Sequence, residues 1–586
     1  MAANRQSMNR RLAGILVPVF SIRGENDLGI GDVASLHDFV NFAAETGFGF
    51  VQLLPVNETG PDNSPYNAIS SVAIEPMTLD CSPDGLKDLT LSDFEEVLNY
   101  YDVAALRVGP VQYAEVRRLK HDLLRRAYLS FCGSVLGHVD ARAASFESFC
   151  QNEADWLNDY CLFRFLMDRE GGSQVWQLWP ANCQDRDSAL AVIVEEAKSH
   201  PEEIDRELRY YAYVQWIAFT QWGEVSDHAK SKGVALMGDI PFGVSLYSVD
   251  VWANLEIFDL DWYGGAPPEL LFKDDAFVQK WGQNWGIPLF RWDVLEARNF
   301  DWWRQRVAKT TQIFGMFRVD HALGFYRIYS FPWNPVRNAE FLPLSHDEAA
   351  SHCGGHLPGF RPRADYSDES KAANRAEGEK YLRMILEAAD GAEVIAEDLG
   401  TVPDYVRPSL AGLGIAGMKV PQWEFTDGHV TSGLHYPALS FATYASHDHA
   451  PMRAQWEDQQ LQMREHGEDT REHWEAKSFL SSLCAFGGIE QQGGEIPDYS
   501  PEIWEQLLRR LCLSHSDRVA VLITDLLCGS DRINIPGVMG GTNWSYRLEM
   551  TSKELISGKE FQELRETLKK ILNETGRSRR VSAPVS

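Results

Sequence analysis

Arg318, Asp320 and His321 stand within four residues of one another in the stretch FGMFRVDHALGF, residues 314–325. The apolar residues that carry them (Phe314, Met316, Phe317, Val319) alternate as in a strand buried on at least one side. Three ionisable groups at the end of such a strand are costly to desolvate without partners. A structural ion pair between Arg318 and Asp320 would meet that cost, and so would a functional site, where perturbed carboxylates gather. The arrangement recurs along the chain. Asp239 follows VALMG, Glu397 follows EVIA, and Asp448 follows FATYASH with His447 directly before it. One such acid reads as a helix cap or loop ion pair; four, two beside His and one beside Arg, read as a convergent set. Like charges in one pocket raise one carboxyl's proton affinity and leave another ionised, which supplies an acid and a nucleophile. Cleavage of a glycosidic bond needs that pair. The rival chemistry is metal binding, to which His447, Asp448 and His449 could contribute, but no helical histidine pair stands beside them.

These residues need a scaffold that brings strand ends together. Apolar runs at residues 14–20, 48–56, 234–242, 314–325, 392–400, 415–423, 440–448 and 519–527 alternate with helical periods. Asp32 is placed to N-cap the first helix and Gly47 to close it. Strand, helix, strand at this spacing is a βαβ unit, so the sheet is parallel and covered by helices. The fold class expected is α/β, a (β/α)8 TIM barrel with large helical and loop-rich insertions forming subdomains around the active-site mouth. A doubly wound sheet is the alternative, but no G-x-G-x-x-G follows the first run. Residues 1–56 form the first part of the barrel, 57–205 an inserted and mostly helical subdomain, and 206–242 barrel again. Residues 243–299, dense in Trp, Gly and Pro, read as an inserted loop-rich lid without regular elements. The remainder, 300–586, completes the barrel with smaller insertions at 335–378 and 455–515. In a parallel barrel, functional residues lie at the C-terminal ends of strands. Asp239, Asp320, Glu397 and Asp448 are therefore expected at one mouth.

Composition narrows the partners. A net charge of −29 over 586 residues argues against nucleic acid and anionic membrane. The 18 Trp and 20 Tyr suit the flat faces of sugars. Nine scattered Cys without a C-x-x-C pair fit a reducing compartment. Arg5, Arg10 and Arg11 before GILVPVF echo a signal peptide, but the run is short and leads into SIRGENDLGIGD with no cleavage site. No run approaches transmembrane length, so a cytoplasmic protein is expected.

In order and role, FRVDHALGF, AEDLG and SHD resemble the catalytic signatures of glycoside hydrolase family 77, the 4-α-glucanotransferases. SPYNAIS, GDIPFGVS, DVWAN, GGAPPELL, GQNWGIPLFRW and RINIPGVMGGTNWSYRL accompany them, so the resemblance spans nearly the whole chain. It implies that α-1,4-glucan segments pass between maltodextrins by a retaining double displacement through a covalent glucosyl-Asp intermediate. By that resemblance Asp320 is the nucleophile, Glu397 the acid/base, and Asp448 a third carboxylate that holds hydroxyls of the distorted sugar. Arg318 pairs with Asp320, His447 and Asp239 hydrogen-bond the donor sugar, and Tyr66 stacks on it. Trp285 is a lid residue, and Asn543 and Trp544 contact substrate. Maltooligosaccharides and α-1,4-glucans are the partners implied, with neither nucleic acid nor membrane. No metal or organic cofactor is expected, because Arg318, Asp448 and the histidines can supply the charge. An α-amylase-like hydrolase with water as acceptor is the alternative. A non-catalytic glucan-binding protein is another, though it would be expected to lose the nucleophile or the acid. The chain departs from the family's His-Asp-Asn-Asp-Thr at His447-Asp448-His449-Ala450-Pro451, and carries Leu255 where many members have Pro. Those departures bear on the acceptor side, the preferred chain length and the ratio of transfer to hydrolysis.

Overall fold

Short apolar runs become strands when a parallel neighbour pairs with each edge and helices or lumen side chains cover both faces. In the computed structural model, which describes residues 11–135, 140–269, 275–538 and 540–579, eight runs do so. They are β1 (Leu12–Leu16), β2 (Phe50–Gln52), β3 (Ala235–Ile240), β4 (Met316–Val319), β5 (Glu393–Ala396), β6 (Ala416–Lys419), β7 (Ser440–Ala442) and β8 (Arg518–Leu522). Each overlaps one of the expected runs. Every strand pairs in parallel with its chain neighbour, and β8 pairs with β1, so the sheet closes into the expected barrel. Arg5 and Arg10, the final Leu270 and Leu271 of GGAPPELL, and Met539 lie outside the described residues.

The lumen is filled. Phe50, Met237, Met316, Ile395, Met418, Phe441 and Ala520 form an apolar cluster of their own, with residues from seven successive strands. Gly14 in β1 makes room for it, since a Cβ there would fall 2.2 Å from the Phe50 ring. Side chains alternate with period two, so Asp239, Arg318 and Glu397 sit one step above Met237, Met316 and Ile395 on the same face. At the opposite end Arg518 reaches Glu393 at 2.7 Å. There the fully buried Arg577 donates to the carbonyls of Cys512 (2.6 Å), Ser514 (2.9 Å), Ser516 (2.7 Å) and Leu12 (3.1 Å). Charge-assisted hydrogen bonds lost from a buried site each cost about 1.5–3 kcal/mol, and they do not add fully. Arg577→Ala is accordingly expected to lower unfolding stability by about 2–4 kcal/mol, read as a lower urea midpoint.

Helix α1 (Val33–Thr46) starts as expected, with the Asp32 side chain accepting from Ser35 N–H, and ends at Gly47 with φ 99°. The 57–205 stretch is mainly helical, including α2 (Tyr113–Ser134). Its buried Lys120 donates to the carbonyls of Met77 and Leu79, both at 2.7 Å, and lies 3.9 Å from Asp32. That contact fastens the insertion to the start of α1. Helix α3 (Pro201–Ser231) then leads into β3.

The lid differs from expectation. Strands Phe258–Ala266 and Gln283–Phe290 pair antiparallel, and Ile328–Phe331 and Gly359–Arg361 extend them to a four-stranded sheet. Its own core holds Trp281, Phe331, Trp333 and Phe341. The Gly and Pro residues that read as loop sit where the pairing shifts register, between Asp259 and Tyr263 and between Gly264 and Gly265. Half of the sheet comes from residues beyond the lid segment, so local composition does not expose it. Residues 335–378, expected as a surface excursion, supply the edge strand Gly359–Arg361 and the start of helix Asp368–Ala388. Among the described residues no helix is long and apolar enough to cross a membrane.

Candidate active site

Asp239 and Arg318 are register partners on β3 and β4, which puts their side chains together above the lumen cluster. Arg318 Nη1 meets Asp239 at 2.8 Å and Nη2 meets Asp320 at 2.7 Å, so one buried guanidinium holds two carboxylates. Burying a charge that has two opposite partners avoids most of the desolvation penalty. Tyr66 donates its hydroxyl to Asp239 Oδ2 at 2.7 Å and stacks its ring on His447, with centroids 5.0 Å apart. Asp239 Oδ1 is buried with no hydrogen-bond partner among the described residues. Burial raises the Asp239 carboxyl to about 6 despite the attraction of Arg318.

Glu397 directly follows β5. Its Oε1 accepts from Leu399 N–H at 2.8 Å and its Oε2 from His321 N–H at 2.9 Å. His321 reaches that position in the left-handed region, φ 42° and ψ 51°, a backbone state that costs a non-glycine residue and is found at functional turns. Burial lifts Glu397 to about 7, with Arg318 pulling it down and Asp320 pushing it up. The His321 ring is driven down to about 4 by burial and packs edge-on against Trp285, with centroids 4.8 Å apart. Trp285 itself is 40% exposed on the lid.

Asp448 lies on the loop after β7. Burial would raise its proton affinity, but His447 Nε2 at 3.2 Å and the Asn534 amide donating at 2.6 Å hold it well below the usual carboxylate range. Arg532 donates to the Asp448 carbonyl at 2.8 Å. Asn534 and Arg532 escaped the sequence reading, although both stand in RINIPGVMGGTNWSYRL. The signal was the motif itself, with no rule for choosing among its polar residues. Trp544, from the same motif, packs beside Tyr66 and His447 with centroids 6.0 and 5.8 Å away. Asn543 does not join them. Its amide accepts from Ile535 N–H (2.9 Å) and donates to the carbonyls of Ile535 (3.1 Å) and Val538 (2.7 Å), which closes its own loop.

The mouth thus gathers Tyr66, Asp239, Arg318, Asp320, Glu397, His447, Asp448 and Trp544, with Trp285 at its lid edge. One carboxyl has its proton affinity raised to neutrality, another is paired to a guanidinium, and a third is strongly acidic. Such a set can both donate a proton and present an anion. Among the described residues no group of three or more His, Cys, Asp or Glu side chains could hold a metal ion.

A family model described as 4-alpha-glucanotransferase, glycoside hydrolase family 77, matches residues 17–552. The 4-alpha-glucanotransferase of Thermus thermophilus is 30% identical over 555 residues, 92% of this chain and 95% of the other. That of Chlamydia pneumoniae is 28% identical over 565 residues, 94% and 93%. The structure of an amylomaltase from Streptococcus agalactiae in complex with acarbose superposes with a TM-score of 0.73 at 25% identity, covering 97% of this chain and 100% of that one.

Proposed function

The chain belongs to glycoside hydrolase family 77, the 4-alpha-glucanotransferases, and from that premise we propose how its side chains divide the transfer of α-1,4-glucan segments between maltodextrins. Asp320 attacks the anomeric carbon of the donor while Glu397 gives its proton to the glycosidic oxygen, and the shortened glucan leaves. A covalent glucosyl ester on Asp320 remains. Glu397, now ionised, takes the proton of the 4-hydroxyl of an acceptor glucan, whose oxygen displaces Asp320 and restores the α-linkage. Two inversions give net retention. Asp448, oriented by Asn534 and His447, accepts hydrogen bonds from hydroxyls of the distorted sugar, and the unpartnered oxygen of Asp239 takes another. Tyr66 and Trp544 provide the aromatic wall. Asn543 contributes by shaping its loop. The observation that carries the reading is the hydrogen bond from His321 N–H to Glu397, which ties the acid to the residue directly after Asp320.

The raised proton affinity of Glu397 has a direction. Below about 7 the carboxyl keeps the proton that it must donate, and above it that proton is lost. The kcat/KM for maltotriose is therefore expected to fall along an alkaline limb with a midpoint near 7, steepening to about tenfold per pH unit.

Transfer must outcompete water for the ester. Bulk water stands at about 55 M, whereas oriented groups reach effective molarities of about 10⁵–10⁸ M, so a gripped acceptor suffices. Maltotriose is expected to yield glucose plus a ladder of longer maltodextrins, with little net gain in reducing ends. Trp285→Ala should lower the ratio of transfer to hydrolysis several-fold by loosening the lid over His321. A wild-type mixture of glucose and maltose only, with reducing ends rising in step with cleavage, would make the protein a hydrolase.

A further inference from the structure

His449 follows Asp448 at the mouth, and its protonation is decided by geometry. Its Nδ1 lies 3.1 Å from Ser446 N and 2.8 Å from Ser446 Oγ. A backbone N–H can only donate, so Nδ1 accepts and the ring's single proton sits on Nε2. Burial drives the imidazole down to about 4, which keeps it neutral at ordinary pH. Nε2–H has no protein acceptor among the described residues, and the side chain is half-buried, so this donor faces the cleft. The ring leans on Trp423, centroid to centroid 5.0 Å, in the turn that follows β6. Trp423 is 48% exposed although its neighbour Gln422 is buried and donates to the Tyr444 carbonyl at 2.7 Å, which ties the turn to the exit of β7. A rigid half-exposed indole beside a fixed N–H donor matches a pyranose, whose apolar face needs a flat surface and whose hydroxyls need acceptors or donors at set positions.

We propose that His449 and Trp423 form a second sugar wall, reading a glucose unit adjacent to the one held by Asp448, with Nε2–H donating to a hydroxyl and the indole covering a sugar face. The wall sets affinity for glucan length and takes no part in bond cleavage. This rests on the glucanotransferase reading for its ligand class.

Two measurements test it. His449→Asn keeps an acceptor for Ser446 N–H and withdraws the donor from the cleft, so the Asp448 loop is preserved. Calorimetric titration of maltoheptaose into Asp320→Asn protein reads binding without turnover. Adding His449→Asn or Trp423→Ala to that background should weaken binding about 5–10-fold. In the otherwise unaltered enzyme, His449→Asn should raise the maltotriose KM by a similar factor with kcat within about threefold. Unchanged binding and KM in both variants would overturn the proposal. A fall in kcat with unchanged binding would also overturn it, because His449 would then act only by holding Asp448. Failure of the unaltered enzyme to build a maltodextrin ladder would instead remove the functional reading, and the binding comparison would still report on the wall.

Discussion

Asp320→Asn is expected to lower transfer from maltotriose by roughly 10⁴-fold or more while glucan binding survives. The amide matches the carboxylate in size, and its oxygen can still accept from Arg318 Nη2, which now lies 2.7 Å from Asp320. Arg318 keeps its bridge to Asp239 at 2.8 Å, so no guanidinium is left buried alone. What disappears is the charge that attacks the anomeric carbon. No neighbour can replace it: Glu397 is held by two backbone N–H groups, and Asp448 by His447 and Asn534. Rapid-quench assays with maltotriose give the rate, and titration with maltoheptaose gives binding. Near-normal turnover would assign the nucleophile elsewhere, and loss of binding together with turnover would mean that Asp320 organises the site rather than attacking.

Glu397→Gln is the second large effect, and its signature depends on the leaving group. Donating a proton to a poor leaving group contributes about 10²–10⁴-fold, so transfer from maltotriose should fall by that factor. α-Glucosyl fluoride departs without protonation, so release of fluoride in the first step should be far less affected. The alkaline limb near 7 should vanish with the carboxyl that causes it. The isostere carries a structural cost as well. Gln can accept from only one of the two N–H groups that Glu397 now satisfies, His321 at 2.9 Å and Leu399 at 2.8 Å. One is left facing an amide NH₂, a loss of about 1–3 kcal/mol readable as a lower urea midpoint. Equal losses with both donors would remove Glu397 from the acid's role.

The two variants separate chemistry from architecture because the same residues serve both. Arg318 joins β3 to the segment after β4, and Glu397 joins β5 to it through His321 N–H. The acids of the mouth therefore help to fix the geometry in which they act, and the left-handed His321 is the strained link between them.

Local composition alone was enough to find the barrel and most of its mouth. A strand buried on both faces must be apolar throughout, and in a parallel barrel its C-terminal end must face the site. Eight apolar runs and the acids that terminate four of them therefore carried the architecture and Asp239, Asp320, Glu397 and Asp448 with it. Distance along the chain hid the rest. The lid sheet draws strands from 258–266, 283–290, 328–331 and 359–361, and pairing across such separations leaves no local period where Gly and Pro sit at register shifts. In one motif Asn534 turns its amide to Asp448 while Asn543 spends its own on Ile535 and Val538. Residue type is identical in the two, and only the folded loop decides which amide is free to orient a catalytic carboxylate. The proton on His449 Nε2 is likewise decided by a backbone N–H three residues earlier, once the turn brings Ser446 within 3.1 Å of the ring. Side-chain direction and hydrogen-bond partnership are properties of packing, and the tertiary structure settles them because each buried polar group must find its partner in three dimensions.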